Sequence, residues 1–203
     1  MNFSEWLHEW YGFDRRVRAL ASQIEALLPR DASVLDVGCG DGTIDQLIQD
    51  SRPDLEFRGI DILVRPETHI PVDEFDGRVI PHPDDSFDCV LFVDVLHHSD
   101  DADQLLSEAR RVARHSVVIK DHRLNGFLAG PTLRFMDDVG NKRHGVRLPY
   151  NYWSHEEWRS AFERSDLEVE VWSQRLGIYP WPVDLLFGRG LHFLARLGIS
   201  SAA

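Results

Sequence analysis

Residues 34–42 read Val-Leu-Asp-Val-Gly-Cys-Gly-Asp-Gly, an apolar run that passes straight into a Gly-x-Gly-x-Gly turn and then into the helical pattern of 43–50. Glycines at 38, 40 and 42 let the backbone adopt positive φ and approach a ligand closely. The helix start beyond them favours a negative group. Nineteen residues after Gly42, Asp61 stands at the end of the next apolar run, where a carboxylate can accept hydrogen bonds from both hydroxyls of a ribose. The chemistry implied is nucleoside binding, and two ligand layouts compete for it. A dinucleotide fingerprint wants Gly-x-Gly-x-x-Gly, so that pyrophosphate can sit on the helix. Here the third glycine comes one residue early, and Asp36 and Asp41 would repel pyrophosphate. Those two acids suit a ligand bearing an ammonium and a sulfonium cation.

Such residues must be held at strand ends, and the chain's punctuation supplies the strands. Residues 15–28 set Val17, Leu20, Ala21, Ile24, Leu27 and Leu28 on one helical stripe, which Pro29 stops. Strands are expected at 33–37, 57–62, 87–96 and 115–121, with helices at 43–50 and 101–113 between them and a Pro-, Asp- and Gly-rich loop over 65–86. The continuous apolar run at 87–96 suits a sheet covered on both faces. Strands alternating with helices argue for a parallel sheet with right-handed crossovers. Residues 122–153 break this rhythm with a long connection that carries a helix near 127–138, and long connections inside compact domains usually serve function. Ser154 and Glu157 form a capping-box pattern that opens another helix. Residues 167–174 and 190–197 alternate as strands and are expected to pair as an antiparallel hairpin at the sheet edge.

The strand, the three glycines and the spaced acid together resemble the first motif of class I S-adenosylmethionine-dependent methyltransferases. Pro81-His82-Pro83-Asp84-Asp85-Ser86-Phe87-Asp88-Cys89-Val90-Leu91 resembles the family segment before its fourth strand, with His82 in place of the usual Phe. Val95-Leu96-His97-His98 resembles the family's V-L-H-H ending. The match covers about residues 30–125 together with the strand at 190–197, and is nearest to the small-molecule branch. It implies an α/β fold: a Rossmann-like, doubly wound, mostly parallel seven-stranded sheet with an antiparallel C-terminal edge strand, in three αβα layers. It implies one domain over 1–203, with 1–28 as a helical cap and 122–153 as a substrate lid. The implied cofactor is S-adenosylmethionine, leaving as S-adenosylhomocysteine. By position, Gly38, Gly40 and Gly42 would shape the backbone around the methionine part, and Asp36 and Asp41 would lie near its ammonium. Asp61 would hold the ribose, Ile62 would pack on adenine, and Asp76 with the Gly77 backbone would meet the adenine edge. Asp94 would face the sulfonium or the acceptor.

Methyl transfer needs a nucleophile held in line with the methyl group and a base for any proton that must leave. In open α/β sheets the crevice lies at the carboxyl ends of the strands. That places His97, His98, Asp121 and His122 under consideration, with His98 and His122 as candidate bases and Asp121 as a group that could orient an imidazole. Asp121 and His122 alone make no dyad, because neighbours in an extended chain point to opposite faces. The lid sequence 140–153 offers His144, Tyr150, Asn151 and Tyr152 for substrate binding, aromatic walls with polar tips. Trp6, Trp10 and Tyr11 are expected to serve mainly as helix packing.

Composition narrows the partners. Lys plus Arg is 22 and Asp plus Glu is 34, a net charge of −12, which argues against nucleic-acid binding. With 203 residues, roughly 70% of the chain's surface can be buried, so a core forms without disulfides or metals. The two cysteines form no CxxC and read as reduced thiols of a cytoplasmic protein. The N-terminal residues lack signal-peptide character, no run is long and apolar enough to span a membrane, and the ten histidines show no metal-ligand spacing. The expectation is a monomeric or homodimeric enzyme methylating an O or N atom of a small organic acceptor. The alternatives are a non-catalytic cofactor-binding subunit and a nicotinamide-dependent oxidoreductase.

Overall fold

The computed structural model describes residues 15–141, 149–181 and 183–199. His144, Trp6, Trp10 and Tyr11 lie outside them. Seven strands form one sheet: β1 (Ser33–Val37), β2 (Glu56–Asp61), β3 (Val72–Glu74), β4 (Phe87–Val93), β5 (Ala113–His122), β6 (Leu167–Ser173) and β7 (His192–Ile199), in the order β3-β2-β1-β4-β5-β7-β6. All neighbouring pairs from β3 to β5 are parallel, whereas β7 runs antiparallel to β5 and to β6. The sheet is thus the doubly wound, mostly parallel one expected, with its antiparallel strand in the C-terminal hairpin.

Helices α1 (15–25) and α2 (Thr43–Ser51) cover one face. There Leu20, Ile24 and Ile48 pack on Val34, Phe57, Leu91 and Val118. Helices α3 (Ala102–Val112) and α5 (His155–Arg164) cover the other, where Leu105, Leu106, Trp158 and Phe162 meet Leu35, Phe92, Val117, Ile119 and Phe193. The start of α3 is fixed by Asp101, which accepts from the Gln104 N–H at 3.0 Å. That of α5 is fixed by the reciprocal Ser154–Glu157 capping box. Helix α4 (Ala129–Asn141) and the short α6 (Asp184–Phe187) lie outside this frame, α4 holding a small separate core of Ala129, Leu133, Tyr152 and Leu191.

Two details differ from the sequence reading. The loop over 65–86 contains β3, three residues whose Val72 pairs with Gly59 of β2. So short an edge strand with one apolar residue leaves no periodic signal. Strand β7 is buried nearly throughout rather than on alternate residues, because it lies between two strands and is covered on both faces.

Candidate active site

A cavity of about 360 Å³ opens at the carboxyl ends of β1, β4 and β5. Its glycine-turn side presents Cys39, Asp41 and Thr43, and α1 contributes Arg16, Val17 and Leu20. Its far side presents Asp94, His97 and His122, closed by Met136 and Asp137 of α4.

Of the three glycines of the turn, Gly40 alone has open space beside it. Gly38 (φ 78) is pinned tight, since a Cβ there would lie 2.6 Å from Val95 Cγ2, whereas a Cβ on Gly40 (φ 62) would meet nothing within 4 Å. Asp61 holds the turn: its carboxylate accepts from the Gly40 and Leu63 N–H groups, each at 2.9 Å, and keeps lone pairs for further donors. Asp41 accepts from the Thr43 N–H at 3.0 Å and from the Thr43 hydroxyl at 2.7 Å, in a turn just before α2. Ile62 is 58% exposed beside Gly77, and its methyl would lie 3.1 Å from a Cβ placed there. The Asp76 carboxylate folds back to accept from the Arg78 and Val79 N–H groups, which holds its pKa below the usual carboxylate range. Beneath the turn, Asp36 is buried with Oδ1 lacking a hydrogen-bond partner, and Asp45 of α2 stands beside it, fully buried. No cation pairs with either among the described residues. Burial, then the Asp45 carboxylate, pushes Asp36 well up, while burial pushes Asp45 up to about 7. An orphaned acid below an open, positive-φ backbone fits a ligand with a cationic head.

The other end is a closed charge network. Asp94 sits in the left-handed region (φ 58), a strained position for a non-glycine residue. Its N–H donates to the Lys120 carbonyl at 2.8 Å. Fully buried Lys120 bonds the Asp94 carboxylate through Nζ, and Arg16 Nη2 approaches it at 3.3 Å. His97 stands between two carboxylates, Nδ1 at 2.5 Å from Asp121 Oδ1 and Nε2 at 3.5 Å from Asp137 Oδ2. Burial favours a neutral His97, but Asp121 and Asp137 outweigh it and raise the pKa to about 10. Asp121 also accepts from the N–H groups of Leu96 (3.0 Å) and His122 (2.6 Å). Asp121 therefore orients an imidazole, that of His97 rather than of its neighbour.

His122 completes the wall. Its Nδ1 lies 3.5 Å from Asp94 Oδ1 and 3.4 Å from His97 Nδ1, and the Trp158 indole N–H donates to its carbonyl at 3.0 Å. Burial holds its pKa below the ordinary histidine value, and the His97 and Lys120 charges add to that despite Asp94. His98 is not on the cavity wall; its ring lies 3.9 Å from that of His97, and burial followed by the His97 charge lowers its pKa to about 4. From the 149–153 segment, the Tyr152 hydroxyl donates to Asp137, the Tyr150 hydroxyl donates to Asp138 at 2.7 Å, and the Asn151 N–H donates to the His97 carbonyl at 3.2 Å. Donor atoms of Asp94, His97, Asp121 and His122 lie within 4.8 Å of one another, a spacing a metal ion could use, yet their charges are met by Lys120, Arg16 and the His97 imidazolium.

The profile of the methyltransferase-domain family matches residues 10–171. The chain belongs to this family. It is an S-adenosylmethionine-dependent methyltransferase, with S-adenosylmethionine as cofactor. The nicotinamide alternative falls with that match, in accord with the glycine spacing. No curated protein matches the sequence. Among solved structures, a Haloferax volcanii chain in complex with the Trm112 methyltransferase activator is similar at 18% identity and TM-score 0.70, covering 99% of this chain and 96% of its own. An S-adenosylmethionine-dependent methyltransferase from Mesorhizobium loti is similar at 16% identity and TM-score 0.66, covering 89% and 97%. The cyclase SpnF is similar at 14% identity and TM-score 0.64, covering 91% and 81%. These likenesses fix the fold of the methyltransferase.

Several residues of the methyltransferase's cavity and its support carry no motif: Arg16, Lys120, Asp137 and, below the glycine turn, Asp45. The signal for Lys120 is a lysine inside the apolar run 117–120, where a strand covered on both faces leaves a charge no exit to water. For Asp45 it is the three-residue spacing to Ile48, which puts both on the buried side of α2.

Proposed function

We propose that this methyltransferase acts on an O or N atom of a small organic acceptor, with His122 as the base. The observation that carries this reading is one cavity whose wall runs from the glycine turn at Cys39 and Asp41 to His122. When bound, S-adenosylmethionine supplies an activated methyl group on a sulfonium sulfur. Gly38, Gly40 and Gly42 with Asp36 and Asp41 would hold its amino-acid end, Asp61 its ribose, and Ile62, Gly77 and Asp76 its adenine.

His122 is neutral at pH 7, so it can take a proton. With its Nδ1 proton toward Asp94, Nε2 is left to receive the proton that the acceptor loses. The imidazolium formed is stabilised by Asp94 and Asp121, whose carboxylates lie 3.5 and 3.7 Å from Nδ1. Asp121 and Asp137 fix His97, which keeps a positive charge beside His122 and holds its pKa down. Residues 122–153 serve as the lid: α4 closes the cavity with Met136 and Asp137, and Tyr152 ties α4 to the 149–153 segment. Arg16, Val17 and Leu20 on the cavity wall support the reading of 1–28 as a cap, in the part of it that is described. Two free thiols support a reducing, cytoplasmic setting.

Thermal unfolding with S-adenosylhomocysteine, followed by a screen of hydroxyl and amine acceptors with labelled cofactor, tests the proposal. Ligand at 100 times its Kd stabilises by about 2.7 kcal/mol. Stabilisation followed by methylation of an acceptor is the expected result. Stabilisation with no methylated acceptor across a broad library favours a non-catalytic cofactor-binding subunit.

A further inference from the structure

A second cavity, about 530 Å³, shares no lining residue with the first. Its wall carries Arg175, Arg189, Asn125, Gln174 and His192, with Asp184 as its one carboxylate. The two cavities are back to back: the His192 ring lies 4.8 Å from that of His122, and His192 Nδ1 lies 3.4 Å from Lys120 Nζ. In a chain of net charge −12, this wall has the opposite balance. Arg175 is exposed and makes no hydrogen bond or ion pair with a described residue. Arg189 donates through Nη2 to the Thr132 hydroxyl at 2.9 Å, and its other donors are uncommitted among the described residues.

Behind the wall lies a third guanidinium. Arg123 is 7% exposed, and its hydrogen bonds go to neutral acceptors, the Gly190 carbonyl (3.3 and 3.2 Å) and Gln174 Oε1 (3.1 Å). Among the described residues no carboxylate forms an ion pair with it; Glu156 acts on it only from a distance. A buried cation without a counter-ion is costly, and an anion next to it offsets that cost. Gln174, fixed by Arg123, is itself on the cavity wall.

We propose that this second cavity is a binding site for an oxyanion, a carboxylate or phosphate group of a small molecule, held by Arg175 and Arg189 with Asn125 and Gln174 donating beside them. Planar guanidinium forks match such anions in geometry and charge. The site does not rest on the methyl-transfer reading, because no residue is common to both cavities.

Isothermal titration of the whole protein with inorganic phosphate, against chloride at matched ionic strength, tests the inference. Saturable binding in the presence and absence of S-adenosylhomocysteine is expected. Arg175→Gln, which breaks no hydrogen bond or ion pair with a described residue, should weaken phosphate binding by about tenfold, the loss typical of one charged hydrogen bond. Asp184→Asn should tighten it, since it removes the only negative charge that the described residues place on the wall. Both variants should bind S-adenosylhomocysteine as the parent does. Absence of saturable binding, equal phosphate affinity in Arg175→Gln, or displacement of phosphate by S-adenosylhomocysteine would each overturn the site. None of these results bears on whether a methyl group is transferred.

Discussion

The methyltransferase buries acids in two places and treats them in opposite ways. At the ends of β4 and β5, Asp94, Asp121 and Asp137 are matched by Lys120, Arg16 and His97, within hydrogen-bond or ion-pair distance in every case. Below the glycine turn, Asp36 and Asp45 have no cation among the described residues, and both carboxyls are pushed up. Matched charges make a rigid wall whose geometry exists before any ligand arrives. Unmatched acids leave a place that gains most from a ligand bringing its own positive charge. In the proposed function the first region orients the acceptor and the second receives the cationic cofactor.

The matched region gives the largest effect. Lys120→Met removes the fully buried partner of the half-buried Asp94 carboxylate and leaves it Arg16 at 3.3 Å; breaking a buried pair on one side costs up to about 3–5 kcal/mol. Urea unfolding should show that loss, and the added change Asp94→Asn should recover a good part of it. A loss below about 1 kcal/mol would break the comparison, because Lys120 would then not be a counter-charge.

His122→Ala comes next. It should lower kcat by at least about 10²-fold while leaving S-adenosylhomocysteine affinity unchanged. The His122 pKa lies below the ordinary value, so kcat should already be on its plateau at pH 7 and should fall only below about pH 6.5. Unchanged turnover in the variant would reject the base.

On the cofactor side, Asp61→Asn keeps the shape and one acceptor oxygen but removes the charge that faces the turn and, in the proposed function, the ribose. Cofactor affinity should fall about tenfold, with kcat at saturation little altered. A fall in kcat at constant affinity would move Asp61 from binding to chemistry and blur the division between the two regions.

How far this division could be read in advance follows from the kind of signal each residue leaves. The glycine turn, Asp61 and the β-α alternation are local patterns, and right-handed crossovers narrow the strand orders to a few. The capping box at Ser154 and Glu157 is equally local. The network at β4 and β5 is not, because it joins Arg16, Asp94, Lys120 and Asp137 across more than a hundred residues, and only packing brings them together. Two adjacent histidines show the same limit. The sequence reading takes His98 as a candidate base, whereas the 3-10 turn over Leu96–His98 aims His97 at Asp121 and the cavity wall carries His97 and not His98. Asp45 reads as one more polar helix residue until α2 is laid on the sheet.

Asp45 also supplies the smallest and most diagnostic effect. Its carboxyl titrates near 7 in the folded protein, against about 3.9 in an unfolded chain. Between those values the folded state holds a proton that the unfolded state has released, so stability falls as pH rises from 4 to 7. Asp45→Asn removes this loss and should stabilise the cofactor-free protein at pH 7.5 by about 1–2 kcal/mol, less than the full shift implies because Asp36 shares the titration. His97 acts in the same direction at higher pH, since its stabilising proton is lost between about 6.5 and 10, but it does so in both proteins and cancels from their difference at any one pH. Thermal unfolding of both proteins from pH 5 to pH 7 reads the difference directly, with the slope against pH shallower in the variant. Equal slopes would mean that a counter-charge reaches Asp45 after all, and the two acidic regions would then differ in position but not in kind.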